Sequence, residues 1–218
     1  MTDFVVARRN MVDGQLRPNR VSNAHLLAAI SDMPRELFVP AGLQAVAYAD
    51  DDVPLGKGRF LMEPMVLGRL LQTLQPLPEE KALVVASGAG YGAALLARLV
   101  KSVVAVEEDA DLAASAERTI RSLGIVNVQQ VVGKMEEGCA AEASYGVILI
   151  EGAVQKVPAA VLDQLAEGGR LATVIAGPAS MGVAHLMVKE GGVASGRPLF
   201  EAGTPLLPGF AAPPRFTF

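Results

Sequence analysis

The hydrophobic positions of this chain run at helical spacing in its first third and gather into short buried runs beyond it. Leu26, Leu27 and Ile30 share one face of a helix predicted over residues 23–31, with Ser22 as its cap and Pro34 as its end. A short turn is expected at residues 34–40. Residues 50–64 combine two glycines and two prolines with many polar groups, the chemistry of a loop. From Pro64 onward, Val66, Leu67, Leu70, Leu71 and Leu74 form the stripe of an amphipathic helix.

Apolar runs at residues 82–86, 103–106, 128–132, 147–150 and 171–175 then have the character of central parallel strands. Helical stretches at residues 91–100, 110–123 and 157–166 separate most of them. This alternation predicts right-handed βαβ units and an α/β fold, a doubly wound, mostly parallel sheet with helices on both faces. Residues 184–189 and 197–201 are expected as antiparallel edge strands, and the Pro-rich tail from Thr204 as a surface segment. The division is a helical leader with a loop over residues 1–78, packed on a core over residues 79–218, as one domain.

Composition narrows the function classes. With 218 residues, 51% of them hydrophobic and 19% charged, the chain can bury a sizeable aliphatic core. A net charge of −4, without any basic cluster interleaved with aromatics, argues against nucleic acid. Cys139 is the single cysteine, which excludes an intrachain disulfide and a Cys-based metal cage, and fits a reducing compartment. His25 and His185 are too scattered for a zinc site, and His25 is expected on a helix surface. The charge-free run 82–97 is broken by Ser87-Gly88-Ala89-Gly90, so strand, turn and helix explain it better than a membrane span. The start of the chain does not read as a signal peptide, and the location expected is cytoplasmic. Asp50, Asp51 and Asp52 are expected as a solvated turn rather than a metal site, and Cys139 as an inert small residue.

The candidate chemistry lies at the first strand's end. In a doubly wound sheet, ligands bind at the carboxyl ends of the strands, where the strand order reverses. Ser87-Gly88-Ala89-Gly90-Tyr91 lies there, with glycines that let a ligand approach the main chain closely. Glu107 follows just past the second strand, where a carboxylate can accept both hydroxyls of a ribose. Together they predict a nucleoside cleft. The turn alone leaves the nucleoside open, because Gly88-Ala89-Gly90-Tyr91-Gly92-Ala93 also satisfies the dinucleotide pattern of dehydrogenases. The leader preceding it suits a lid over a methyl-donor cleft instead.

Particular residues then connect the chain to a family. They are Met11-Val12 and Gln15-Leu16-Arg17, Pro34-Arg35-Glu36-Leu37-Phe38-Val39-Pro40, and Tyr48-Ala49-Asp50 leading to Pro54-Leu55-Gly56-Lys57-Gly58. Further on come Gly88, Gly90 and Tyr91, Val106-Glu107, Asn127-Val128 and Gly168-Gly169-Arg170-Leu171. Over nearly its whole length the chain resembles the protein-L-isoaspartate O-methyltransferases. The resemblance implies a Rossmann-like class I methyltransferase fold and S-adenosylmethionine as cofactor, with a damaged aspartate of a protein or peptide as methyl acceptor. It also implies that Ser87, Gly88, Ala89, Gly90, Tyr91, Glu107, Glu108, Lys134 and Met135 hold the cofactor, and that Phe60, Leu61, Met62, Glu63 and Pro64 form the substrate loop.

The chain departs from that family's pattern at several of these positions. Val84 stands where the family has an acid, and Ala86 where the turn's first glycine belongs. Lys134 replaces an aspartate that meets the adenine amino group, Tyr145-Gly146 replaces Phe-Asp, and Phe60 and Met62 replace hydroxyl residues of the substrate loop. Two lost cofactor contacts weaken binding by one to several orders of magnitude at about 0.5–3 kcal/mol each. An active but divergent methyltransferase, a non-catalytic relative serving as a binding module, and a dehydrogenase are the three readings, in that order.

Overall fold

The computed structural model describes residues 3–177 and 181–211. Its centre is a seven-stranded sheet made of β3 (Lys81–Val85), β4 (Ser102–Glu107), β5 (Val128–Val132), β6 (Tyr145–Val154), β7 (Leu165–Ile175), β8 (Gly182–Glu190) and β9 (Val193–Ala202). The spatial order is β5-β4-β3-β6-β7-β8-β9. The first five strands in that order pair in parallel, and β8 and β9 join antiparallel at the edge. The chain winds outward from β3 in one direction and returns to β6 on its other side, so the order reverses between β3 and β6.

The predicted apolar runs become these strands because their side chains are buried on both faces. Ala82 and Val84 point into one core with Val103, Ala105, Val147 and Leu149, and Leu83 and Val85 into the other with Val104, Val106, Ile148 and Ile150. The first core also takes in the leader and α4 (Tyr91–Leu96). The leader helices are α1 (Phe4–Met11), α2 (Ala24–Asp32) and α3 (Pro64–Leu74), which contribute Met11, Leu26, Ile30 and Leu70. Pro64 occupies the first turn of α3, where its missing N–H costs nothing. Asp109 caps α5 (Ala110–Ser122) by accepting from the Asp111 and Leu112 amides. The second core lies under α6 (Ala159–Asp163).

Several boundaries differ from the sequence reading. Asn23, not Ser22, caps α2, because its Oδ1 accepts from the Leu26 amide at 3.0 Å. The helix expected over 157–166 shortens to α6, since Leu165 already pairs with Tyr145 as part of β7. Residues 50–64 are not loop throughout: β1 (Val53–Gly56) and β2 (Arg59–Leu61) form an antiparallel hairpin. Its turn runs through Gly56, Lys57 and Gly58, all with positive φ. The tail from Thr204 is not wholly superficial either. Leu207 and Phe210 are buried in the second core, and the Leu207 amide donates to the Ala153 carbonyl at 2.8 Å. Residues 212–218 of that tail lie outside the described residues. His25 is exposed, as expected. Among the described residues no helix is long and apolar enough to cross a membrane.

Candidate functional site

The glycine turn joins β3 to α4 at the point where the strand order reverses. Its geometry is held by the Ser87 amide donating to the Val106 carbonyl at 3.1 Å and the Gly90 amide donating to the Ser87 carbonyl at 2.8 Å. Gly90 has φ of +89°, and a Cβ there would lie 2.9 Å from Ile120 and 3.0 Å from Ala116, so only glycine lets α5 pack this close. Ala86 also takes a left-handed conformation, φ +58°, at the position where the family pattern has glycine.

Glu107 ends β4 and turns its carboxylate toward that turn, fully buried. It accepts from the amides of Gly88 at 2.9 Å, Glu108 at 2.9 Å and Asp109 at 3.1 Å. Its remaining partner is Arg59 of β2, which donates through Nε at 3.2 Å to both oxygens and through Nη2 at 3.1 Å to Oε1. Sequence reasoning named Glu107 and missed Arg59, because nothing local in a Gly- and Pro-rich stretch marks one cation as the partner of an acid 48 positions on.

The other expected cofactor residues divide. Gly88, Ser87, Gly90 and Tyr91 are buried around the turn, and Ser87 Oγ accepts from Gln130 Nε2 at 3.2 Å. Met135 is buried with its sulfur 2.8 Å from Arg59 Nη2. Glu108 is exposed, and so is Lys134, which pairs with Glu137 at 3.0 Å. Val84 is a core residue of β3. Neither Val84 nor Lys134 fills the space above the turn. The hairpin does: Leu55 Cδ1 stands 3.1 Å from where a Gly88 Cβ would be, beside Arg59 on Glu107.

The substrate-loop residues run from β2 into α3. Phe60 is half-buried, while Leu61 and Met62 point into the core. The buried Arg35 donates to the carbonyls of Met62 and Ala47, both at 2.6 Å, with its guanidinium 5.0 Å from the Tyr91 ring centre. Arg35 therefore ties the leader, the substrate loop and the glycine turn together, which explains why the leader residues form one pattern. Glu36, bonded to Tyr48 and 3.4 Å from Arg8, anchors the same junction. Burial pushes the Glu63 carboxyl up to about 7, reinforced by Asp50, Asp52 and Asp51. Asp52 is not merely a solvated turn residue, since it accepts from the Glu63 amide at 2.8 Å and from Thr204.

A second acid escaped the sequence reading. Glu151 lies on β6 just past Ile150, which pairs with Val85, so it faces the glycine turn across the reversal point. It is 4% exposed and its Oε1 has no hydrogen-bond partner among the described residues. A Cβ on Gly92 would lie 2.0 Å from that oxygen. Burial raises its carboxyl to about 8, against the lowering influence of Arg35. The signal was the one that picked out Glu107, an acid directly after an apolar run.

The arrangement thus joins a tight glycine turn to a carboxylate aimed at it from the next strand. Orphaned buried atoms also surround them, namely Arg59 Nη1, Gln130 Oε1, Tyr91 Oη and Glu151 Oε1. These atoms fit a polar ligand. Arg59, Leu55 and Met135 nevertheless crowd Glu107 and Gly88; the gap beside Glu151, Met62 and Thr204 measures about 10 Å³, room for about one water, and a cavity of about 130 Å³ lies beside Ala89, Leu55 and Leu112.

Comparison with known proteins favours a methyltransferase family over a dehydrogenase. The family described as Protein-L-isoaspartate(D-aspartate) O-methyltransferase matches residues 7–197. A protein-L-isoaspartate O-methyltransferase of Koribacter versatilis is 38% identical over 178 residues, covering 82% of this chain and 80% of that protein. Another from Herpetosiphon aurantiacus is 39% identical over 168 residues, covering 77% and 75%. A solved structure of a protein-L-isoaspartate O-methyltransferase superimposes with a TM-score of 0.80 at 25% identity over 93% of this chain, which spans 66% of that longer chain. A putative protein-L-isoaspartate O-methyltransferase from Plasmodium falciparum, solved with S-adenosyl-L-homocysteine, shares the fold at 19% identity with a TM-score of 0.76, covering 92% of this chain and 97% of its own. With its sheet order, its leader junction and its glycine turn all in place, the chain belongs to the protein-L-isoaspartate(D-aspartate) O-methyltransferase family.

Proposed function

We propose that the protein transfers a methyl group from S-adenosylmethionine to a carboxylate of a damaged aspartyl residue in a protein or peptide. The observation that carries this reading is Glu107, buried at the tip of β4 and hydrogen-bonded to the Gly88 amide of the turn, in a chain of this family. Bound there, the donor supplies an electrophilic methyl carried on a sulfonium.

The chain's own residues bind, orient and exclude water. An aspartyl-type carboxylate is ionised at neutral pH, so it needs no general base to accept a methyl group, and alignment with the donor is the main task. Glu107 grips the donor's sugar, and the Ser87–Tyr91 main chain forms the floor. Phe60 and Met62, which line the gap beside Glu151, keep water from the acceptor's side. Glu63 would repel an acceptor carboxylate as an anion, but it holds its proton up to about pH 7, and in that form it donates a hydrogen bond.

The test is methyl transfer from a labelled donor to an isoaspartyl peptide and to the same peptide with ordinary aspartate, with Met62→Ser run beside the unaltered protein. Label in the isoaspartyl peptide alone, raised by the restored hydroxyl, is expected. Equal labelling of both peptides, or of neither by either protein, contradicts the reading.

A further inference from the structure

The β1–β2 hairpin lies as a strap across the carboxyl ends of β3 and β4. Three of its side chains touch the nucleoside cradle or its rim. Leu55 covers Gly88. Lys57 Nζ reaches Asp109 at 2.5 Å and Asp111 at 3.4 Å at the start of α5. Arg59 takes Glu107.

The Glu107 carboxylate offers about four acceptor sites. Three go to main-chain amides, that of Gly88 in the turn and those of Glu108 and Asp109 in the link from β4 to α5, and these hold the carboxylate in place. The guanidinium takes what is left. A sugar hydroxyl needs that same remainder, so sugar and Arg59 cannot hold Glu107 together. The occupancy of Arg59 is also imperfect: its Nη1 is buried without a partner among the described residues, and its Nη2 faces the weakly accepting sulfur of Met135. A guanidinium with an unmet donor is one that regains hydrogen bonds on returning to water. Charge fits the exchange, since a sulfonium-bearing amino acid brings one net positive charge to the region that Arg59 vacates.

We propose that Arg59 is an internal competitor for Glu107, and that displacement of the strap sets the affinity of this protein for its nucleoside cofactor. The proposal rests on the methyl-donor reading above. It assigns an affinity-determining role to a residue that holds no substrate.

The experiment is calorimetric titration of the full chain with S-adenosylhomocysteine, for the unaltered protein, Arg59→Gln and Arg59→Lys. Arg59→Gln is expected to bind at least tenfold more tightly than the unaltered protein, with Arg59→Lys between them. A residue that merely supports the fold would lower affinity on replacement, so the direction of change separates the two roles. Equal or weaker binding by both variants overturns the proposal while leaving the methyl-donor reading in place. No binding by any of the three proteins overturns both. Should Arg59→Gln fail to fold, with Glu107 left unpaired, Arg59→Lys and hydrogen exchange of the unaltered protein carry the test. Saturating S-adenosylhomocysteine should speed exchange at residues 57–61 while slowing it at 88–91, and added protection at 57–61 contradicts displacement of the strap.

Discussion

Glu63 and Glu151 are two carboxyls whose protons are held by burial, and each gives the protein a pH dependence of known sign. Glu63 is raised to about 7, so its hydrogen-bond donor is present below that pH and lost above it. Methyl transfer is expected to decline as pH rises through 7, and Glu63→Gln, which donates at every pH, should flatten this limb of the profile. Identical profiles for the two proteins would remove Glu63 from the site. For Glu151 the folded value rises from 4.5 to about 8, so the stability it contributes is fully present below pH 4.5 and lost as pH rises toward 8. The slope is at most about 1.4 kcal/mol per pH unit. Urea unfolding between pH 5 and 8 should show that slope, and Glu151→Gln should lack it.

Two short segments matter more than their length suggests. The turn after β3 carries Ala86 at φ +58°, a conformation costing an L-residue about 1–2 kcal/mol and glycine almost nothing. Against the extra chain entropy of glycine, Ala86→Gly is expected to raise the unfolding free energy by up to about 1 kcal/mol, and a loss of stability would mean the turn is not strained there. The segment after β9 is pinned by main-chain bonds to Ala153 and by Leu207, whose side chain lies against Gly152 at a distance no Cβ could share. Leu207→Ala should lower stability by about 2–5 kcal/mol in denaturant titration. A change below about 0.5 kcal/mol, the level of a typical surface substitution, would make the segment the superficial tail its prolines suggest.

The whole molecule was legible where local pattern and tertiary role coincide. Apolar runs such as 103–106 are buried on both faces of a parallel sheet, so they could be read without knowing their neighbours. Glu107 was legible because its strand and its distance from the glycine turn are both sequence features. Arg59, Leu207 and Phe210 were not, because each acquires its meaning from a partner far along the chain. Residues 4–11 escaped for another reason: Val5 is 72% exposed, and the face that packs on the core is only Phe4, Ala7 and Met11 on the helix that Asp3 caps. The resulting picture is a fold of the methyltransferase family in which the glycine turn and Glu107 stand against the chain's own hairpin.

That picture is tested most directly by a crystal structure of the chain grown with saturating S-adenosylhomocysteine. A sugar hydroxyl should lie within hydrogen-bond distance of the Glu107 carboxylate, with Arg59 turned away from it. A nucleoside bound elsewhere while Arg59 still holds Glu107 would contradict it.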